Sequence, residues 1–366
     1  MIYETPFTTS RRAVLAAPLA LLTAGIARPL GTAAQERDYW PTKGWRAGDP
    51  AEQGIDPGGL AAAGDAVAAQ LPEATGFVVI RNGYLVYERY YGDAYGRDDP
   101  VKIRSITKSV TSALIGMALE DELIDDLDQP IGDLIPDRIP DDADPLTPSI
   151  TVRQMLTMTG GWAWDIGSDY ERLIASEDWA EYTLSQPVVY EPGSFYAYNS
   201  GGSHILSVIL SAVTEDDTVV YAQERLFRPI GIRRPRWQRS PQGERVGGFG
   251  LELTPRDLAK FGFLFLNGGV WEGEQLVPAR YVRDATTYQA TGDSTGFAAY
   301  GFQWWVTETP FGQPAYFGLG FGSQYLYVVP ELDLIAVIVK GFEERPAVVT
   351  PSRPVIETYV VPAVRG

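Results

Sequence analysis

The chain has 366 residues, 45% hydrophobic, 21% charged and 12% aromatic, with no cysteine and one histidine. That length buries a large core, and the balance is that of a globular protein, neither disordered nor collagen-like. Without cysteine there is no disulfide, thiolate nucleophile or Cys-ligated metal, and His204 alone cannot build a multi-histidine centre, so neither metal nor cofactor is expected. A net charge of −17 repels a phosphate backbone and argues against a nucleic-acid partner.

Thr9-Ser10-Arg11-Arg12 precedes an uncharged run from Ala13 to Ala27, followed by Arg28 and the small residues Thr32-Ala33-Ala34. Paired arginines, a short apolar stretch and an A-x-A-like site read as an export signal of the twin-arginine kind over residues 1–34. Its removal takes away Glu4 and three arginines, moving the net charge from −17 to near −19. No later run is long and apolar enough to span a membrane. The mature chain, 35–366, is therefore expected to be periplasmic or extracellular, with no membrane anchor.

Further along, Gly59 to Leu71 is alanine-rich and reads as a helix. Gly76–Ile80 and Tyr84–Tyr91 are β-branched and aromatic runs around Arg81-Asn82-Gly83, and the Asn-Gly step predicts a hairpin. Ser105 to Glu120 reads as a helix. Helices and loops follow, punctuated by five prolines between residues 130 and 148. Thr254-Pro255-Arg256-Asp257 opens another helix, with Thr254 as cap, Pro255 at the first position and Asp257 suited to the dipole. Strands return at Tyr300–Val306, Gln324–Val329 and Leu334–Val339, and a last helix is expected within residues 350–362. Strands at both ends with helices between predict a single mixed α/β domain. Its antiparallel sheet would come from residues 59–104 and 296–366, with a mostly helical region over 105–295.

The chemistry is concentrated at Ser105-Ile106-Thr107-Lys108, where a serine precedes a lysine by three. On a helix, positions i and i+3 share a face, so Ser Oγ and Lys Nζ can meet. Ile106, Val110, Ala113, Leu114, Met117 and Ala118 form an apolar stripe; Ser105, Lys108, Ser109, Ser112 and Gly116 form a second face of small residues around one lysine. A helix so lined is buried, and lysine is seldom buried without a purpose. A cation in the first turn opposes the dipole, so a solvent-facing lysine behind a serine cap fits poorly. Burial and dipole both depress the lysine pKa, as a general base requires, and a neutral Lys108 could take the Ser105 proton.

The residues around this helix resemble the serine β-lactamase and penicillin-binding-protein superfamily. Ser105-Ile-Thr-Lys108 matches its S-x-x-K element, and the likeness continues through Ile124–Leu134, Ile150–Gly161 and Thr254–Gly262. It looks closest to the class C-like branch of carboxylesterases and 6-aminohexanoate-dimer hydrolases. The resemblance implies a β-lactamase-like fold and a catalytic tyrosine in a Tyr-x-Asn element soon after Pro-Gly. Pro192-Gly193 is followed by Tyr196-Ala197-Tyr198-Asn199-Ser200, and the spacing favours Tyr198 over Tyr196. Ser200 replaces the family asparagine, which weakens one substrate contact. The third element, Lys-Thr-Gly or His-x-Gly, corresponds to Gly318-Leu319-Gly320, where Gly318 replaces the cation that helps hold the carboxylate of β-lactams. The resemblance also implies an oxyanion hole made by the main-chain N–H groups of Ser105 and Phe321.

Competing readings are weaker. Gly292-Asp293-Ser294-Thr295-Gly296 matches the nucleophile-elbow pattern, but that arrangement needs a histidine after the serine, and His204 precedes it. His204 lies on an apolar helical run, which suits a structural role. No pair of carboxylates stands out for glycosidase work. Trp162, Trp164 and Tyr170 follow the Thr-Gly-Gly turn and are either pocket lining or core aromatics. The expectation is an exported, metal-free serine hydrolase acting on a small ester or amide through an acyl-enzyme. A β-lactamase or D-amino peptidase using the same residues, or a non-catalytic binding protein on the same fold, are the alternatives. Oligomeric state is not readable, and no partner protein is implied.

Overall fold

The computed structural model describes residues 37–365, apart from 94, 293–297 and 342–348. The expected export signal and Ser294 therefore lie outside the described residues. No described helix is long and apolar enough to cross a membrane.

Helix α1, Pro57–Gln70, begins two residues before the predicted start because Asp56 caps it through the Gly59 amide and Pro57 occupies the first position. Strands β1 (Ala74–Arg81) and β2 (Tyr84–Tyr90) form the expected hairpin. Its two-residue turn holds Asn82 at φ 52° and Gly83 at φ 82°, the left-handed pair that matches strand twist. Helix α2 is Thr107–Glu120, helix α3 is Ser200–Thr214 and helix α4 is Pro255–Leu266. Thr254 caps α4 by accepting from the Asp257 amide at 3.0 Å. The remaining strands are β3 (Ala299–Tyr300), β4 (Trp305–Glu308), β5 (Pro314–Gly320), β6 (Gln324–Val329) and β7 (Leu334–Lys340).

These form a seven-stranded sheet in the order β2-β1-β7-β6-β5-β4-β3, antiparallel throughout. The β1–β7 pairing, with Val78 opposite Val337, joins the two ends of the chain. Both faces are covered. Val78, Ile80, Leu326, Val328, Ile335 and Val337 face a core shared with α2 and α4. Phe77, Val79, Tyr325, Tyr327, Ala336 and Ile338 face a second core with α1 and the C-terminal helical turns, residues 353–360. Burial on both faces explains why these strands read as continuous apolar runs.

Two expectations need correction. The strand predicted over Tyr300–Val306 is two short strands, β3 and β4, separated by a turn in which Gln303 adopts φ 61°. The buried Gln303 side chain is the reason: its Nε2 donates to the Met155 and Leu156 carbonyls, and its Oε1 accepts from Ser203. The helix expected from Ser105 starts instead at Thr107, and Ser105 belongs to a tight 3-10 turn, Arg104–Ile106. The inserted region also carries short strands: Leu251–Leu253 pairs with Arg236–Trp237 and, from the stretch expected in the main sheet, with Val101–Lys102, forming a separate small sheet.

Candidate active site

The Arg104–Ile106 turn lifts Ser105 to a half-exposed position at the mouth of a buried helix. Arg104 takes φ 55°, a left-handed conformation uncommon for any residue but glycine, and its carbonyl accepts from Thr107 Oγ1 at 2.6 Å. The rest of α2 is held by its small face. Ser109 Oγ donates to the Gln303 carbonyl and Ser112 Oγ to the Phe302 carbonyl, each at 2.8 Å. A Cβ on Gly116 would stand 2.7 Å from the Tyr281 ring. Small residues on that face let the β3–β4 turn and Tyr281 approach and fix the helix.

Lys108 is 1% exposed. Its Nζ lies 2.7 Å from the Gly248 carbonyl, 3.1 Å from Ser200 Oγ and 3.4 Å from Ser105 Oγ. Burial lowers its pKa to about 7, since the surroundings offer no charge to offset the loss of hydration. A Cβ at Gly248 would meet the Ser200 carbonyl at 2.8 Å and Lys108 Nζ at 3.4 Å; only glycine brings that carbonyl so near the amine. Gly248 escaped sequence reasoning, although the Gly247-Gly248 pair before a strand hints at close backbone approach.

Tyr198 covers the lysine, its ring centroid 4.8 Å from Nζ. It stacks on Trp305 at 5.9 Å and meets Tyr300 edge-on at 6.3 Å. Tyr196 packs edge-on against the same Tyr300 and Trp305. Asn199 caps α3 through the Gly202 amide at 2.9 Å, so α3 starts with Ser200 turned to Lys108. Trp305, a stacking partner of Tyr198, was not singled out from sequence, because nothing local distinguishes it from other strand aromatics.

β4 pairs with β5 only over Pro314–Phe317. Beyond it, Gly318–Gly320 runs along the serine turn: a Cβ on Gly318 would meet Ile106 Cγ2 at 2.8 Å, and one on Gly320 the Ile103 carbonyl at 2.6 Å. The glycines thus let the strand end lie against the turn. Gly318 faces the helix, and any side chain there would collide with the residue following Ser105. Phe321 follows in the tight loop to β6, where Gly322 and Ser323 take φ 85° and 64°. This loop sets the Phe321 backbone next to the glycine end of β5.

The aromatics after the Thr-Gly-Gly turn separate. Trp162 is buried and donates to Thr147 Oγ1, a core position. Trp164 lies against the start of α3, its ring 3.0 Å from where a Cβ on Gly201 would be. Tyr170 meets Phe249 edge-on at 5.3 Å, next to the lysine-binding Gly248. His204 is fully buried, edge-on to Trp179 at 5.8 Å, and neither ring nitrogen has a hydrogen-bond partner. Burial lowers its pKa to about 4, so it is a neutral packing residue. Among the described residues no cluster of His, Asp and Glu could hold a metal.

Residues 24–348 match the sequence model of the family named Beta-lactamase. The chain is 26% identical over 307 residues to the 6-aminohexanoate-dimer hydrolase of Paenarthrobacter ureafaciens, an alignment covering 75% of this chain and 76% of the relative. Its fold is similar to that of EstCE1, described as a hydrolase with promiscuous acyltransferase activity: TM-score 0.67, 18% identity, 84% of this chain and 99% of the other. It is also similar to that of a D-stereospecific amidohydrolase from Streptomyces: TM-score 0.64, 17% identity, 82% and 98% of the two chains. A family match over most of the chain, on a sheet-and-helix architecture shared with these enzymes, places the protein in the Beta-lactamase family, as a serine hydrolase of the β-lactamase-like superfamily.

Proposed function

We propose that the protein is an exported hydrolase that cleaves small esters or amides through an acyl-enzyme on Ser105. The observation that carries this reading is the buried Lys108 amine, placed between Ser105, Ser200 and the Gly248 carbonyl with a pKa near neutrality. A neutral amine has two N–H donors and one lone pair. The Gly248 carbonyl can only accept, and Ser200 Oγ takes the second hydrogen, so the lone pair is left for the Ser105 hydroxyl proton. Ser105 then attacks the carbonyl as Lys108 takes its proton. The Tyr198 hydroxyl, at the end of a ring fixed by Trp305, passes a proton to the leaving group. The Ser105 and Phe321 main-chain amides, the pair that the family resemblance implies, stabilise the oxyanion. The proton on Lys108 then passes to the Tyr198 oxygen; water attacks the acyl-enzyme as neutral Lys108 takes its proton, and Lys108 gives that proton to Ser105 Oγ as the carboxylic acid leaves.

Gly318 offers no cation from β5, which favours esters and simple amides over β-lactams. The names of the similar proteins, an amide-dimer hydrolase, an amidohydrolase and an acyl-transferring hydrolase, support the same range. Ser200, Gly318, Gly320, Trp164 and Tyr170 are the residues we assign to the substrate side. Export rests on the Arg11-Arg12 pair and the run behind it.

The test is intact mass after treatment with a fluorophosphonate probe, with Ser105→Ala beside wild type. A single adduct on wild type, absent from the variant, is expected. No adduct on either would favour a binding protein; an adduct on both would move the nucleophile elsewhere.

A further inference from the structure

Among the described residues, partly buried arginines have partners with one exception. Arg37 pairs with Asp333, Arg153 with Asp128, Arg245 with Asp217 and Arg256 with Glu88, while Arg81 donates to the Leu332 carbonyl. Arg104 pairs with nothing: its Nε is enclosed without a hydrogen-bond partner, and no carboxylate meets its guanidinium. It is also the residue immediately before Ser105. Its backbone, at φ 55°, is locked in the serine turn. Its Cβ lies 3.2 Å from where a Cβ on Gly320 would stand, so its stem leaves the chain against the glycine end of β5, beside Phe321.

Only the Nε of Arg104 is enclosed without a partner, and no carboxylate among the described residues neutralises the group, so its terminal nitrogens are free to take an anion. The guanidinium fork matches a carboxylate in a bidentate way. In a chain of net charge −17 the overall field repels an anionic substrate, so recognising one requires a local cation.

We infer that Arg104 determines specificity by binding the carboxylate of an ester or amide substrate that carries an acid group near its scissile carbonyl. This rests on Ser105 being the nucleophile and adds the substrate class. Acyl chains ending in a carboxylate, or leaving groups bearing one, would then be the preferred substrates.

The experiment compares the p-nitrophenyl monoester of glutaric acid with p-nitrophenyl butyrate on wild type, Arg104→Gln and Arg104→Lys. Both variants keep a side-chain stem at the same backbone position. Fluorophosphonate labelling of Ser105 is checked first in each. Wild type should favour the acidic ester. Arg104→Gln should cut the ratio of kcat/KM for acidic over neutral ester about tenfold, through KM, as expected for one charge-assisted contact. Arg104→Lys should restore part of that ratio, and added salt should weaken it in wild type. An unchanged ratio, or equal losses on both esters, with labelling intact would overturn the inference and leave the nucleophile standing. Absence of labelling on wild type would overturn both.

Discussion

At the scale of single residues, the proposed chemistry turns on one amine taken out of water. Lys108 is depressed to about 7 by burial, so a proton occupies it below that pH and leaves above it. The proposed acylation step needs the neutral amine, so kcat/KM should rise with pH through about 7 and plateau on the alkaline side. A pH profile on a neutral ester measures this; an activity flat from pH 5.5 to 8.5 would contradict it. The unfolded lysine holds its proton up to about 10.5, so at neutral pH folding strips or buries a charge at a cost in stability. Lys108→Met should therefore abolish turnover while raising Tm by roughly a few degrees, measured by calorimetry.

At the scale of elements, the contact between the serine turn and the end of β5 is the tightest constraint on the site. A Cβ on Gly318 would lie 2.8 Å from Ile106 Cγ2, a branched side chain with few other rotamers. Gly318→Ala should lose about 1–3 kcal/mol of stability through overpacking and should slow acylation by displacing Ser105. In the double variant Gly318→Ala/Ile106→Ala, which removes the Cγ2 methyl, the two losses should be less than additive. Strict additivity of the two changes in denaturant melts would show that these side chains do not meet. Legibility differs sharply between elements. The β1–β2 hairpin and the α4 cap were readable because Asn82-Gly83 and Thr254-Pro255 act locally. The break between β3 and β4 was not, because Gln303 bends the chain there to satisfy the carbonyls of Met155 and Leu156, some 150 residues away.

At the scale of the whole molecule, the sheet carries two cores, and the helical region sits over one of them with His204 inside it. His204 is held at about 4 in the folded chain against 6.5 when exposed. Unfolded chains therefore bind more protons between those values, so the neutral ring's contribution is complete above pH 6.5 and fades as pH falls toward 4. The fade is about 1.4 kcal/mol per pH unit across that window. By denaturant titration, wild type should lose stability relative to His204→Met as the pH drops from 7 to 4. Parallel curves would mean that His204 does not titrate on unfolding.

Sequence by itself determined the presence of the S-x-x-K pair, the absence of thiol and multi-histidine chemistry, and the class of fold, because each depends on residue type and short spacing. It also favoured Tyr198 over Tyr196, though only through distance from Pro192-Gly193. What only the tertiary structure decided is the company these residues keep. Gly248 arrives 140 residues after Lys108 to offer its carbonyl. Trp305 comes from β4 to brace Tyr198, and the glycines of β5 press against Ile106 and Arg104. Such contacts join segments whose separation along the chain carries no local signature, and burial, which sets the lysine's proton affinity, exists only once those segments have closed around it.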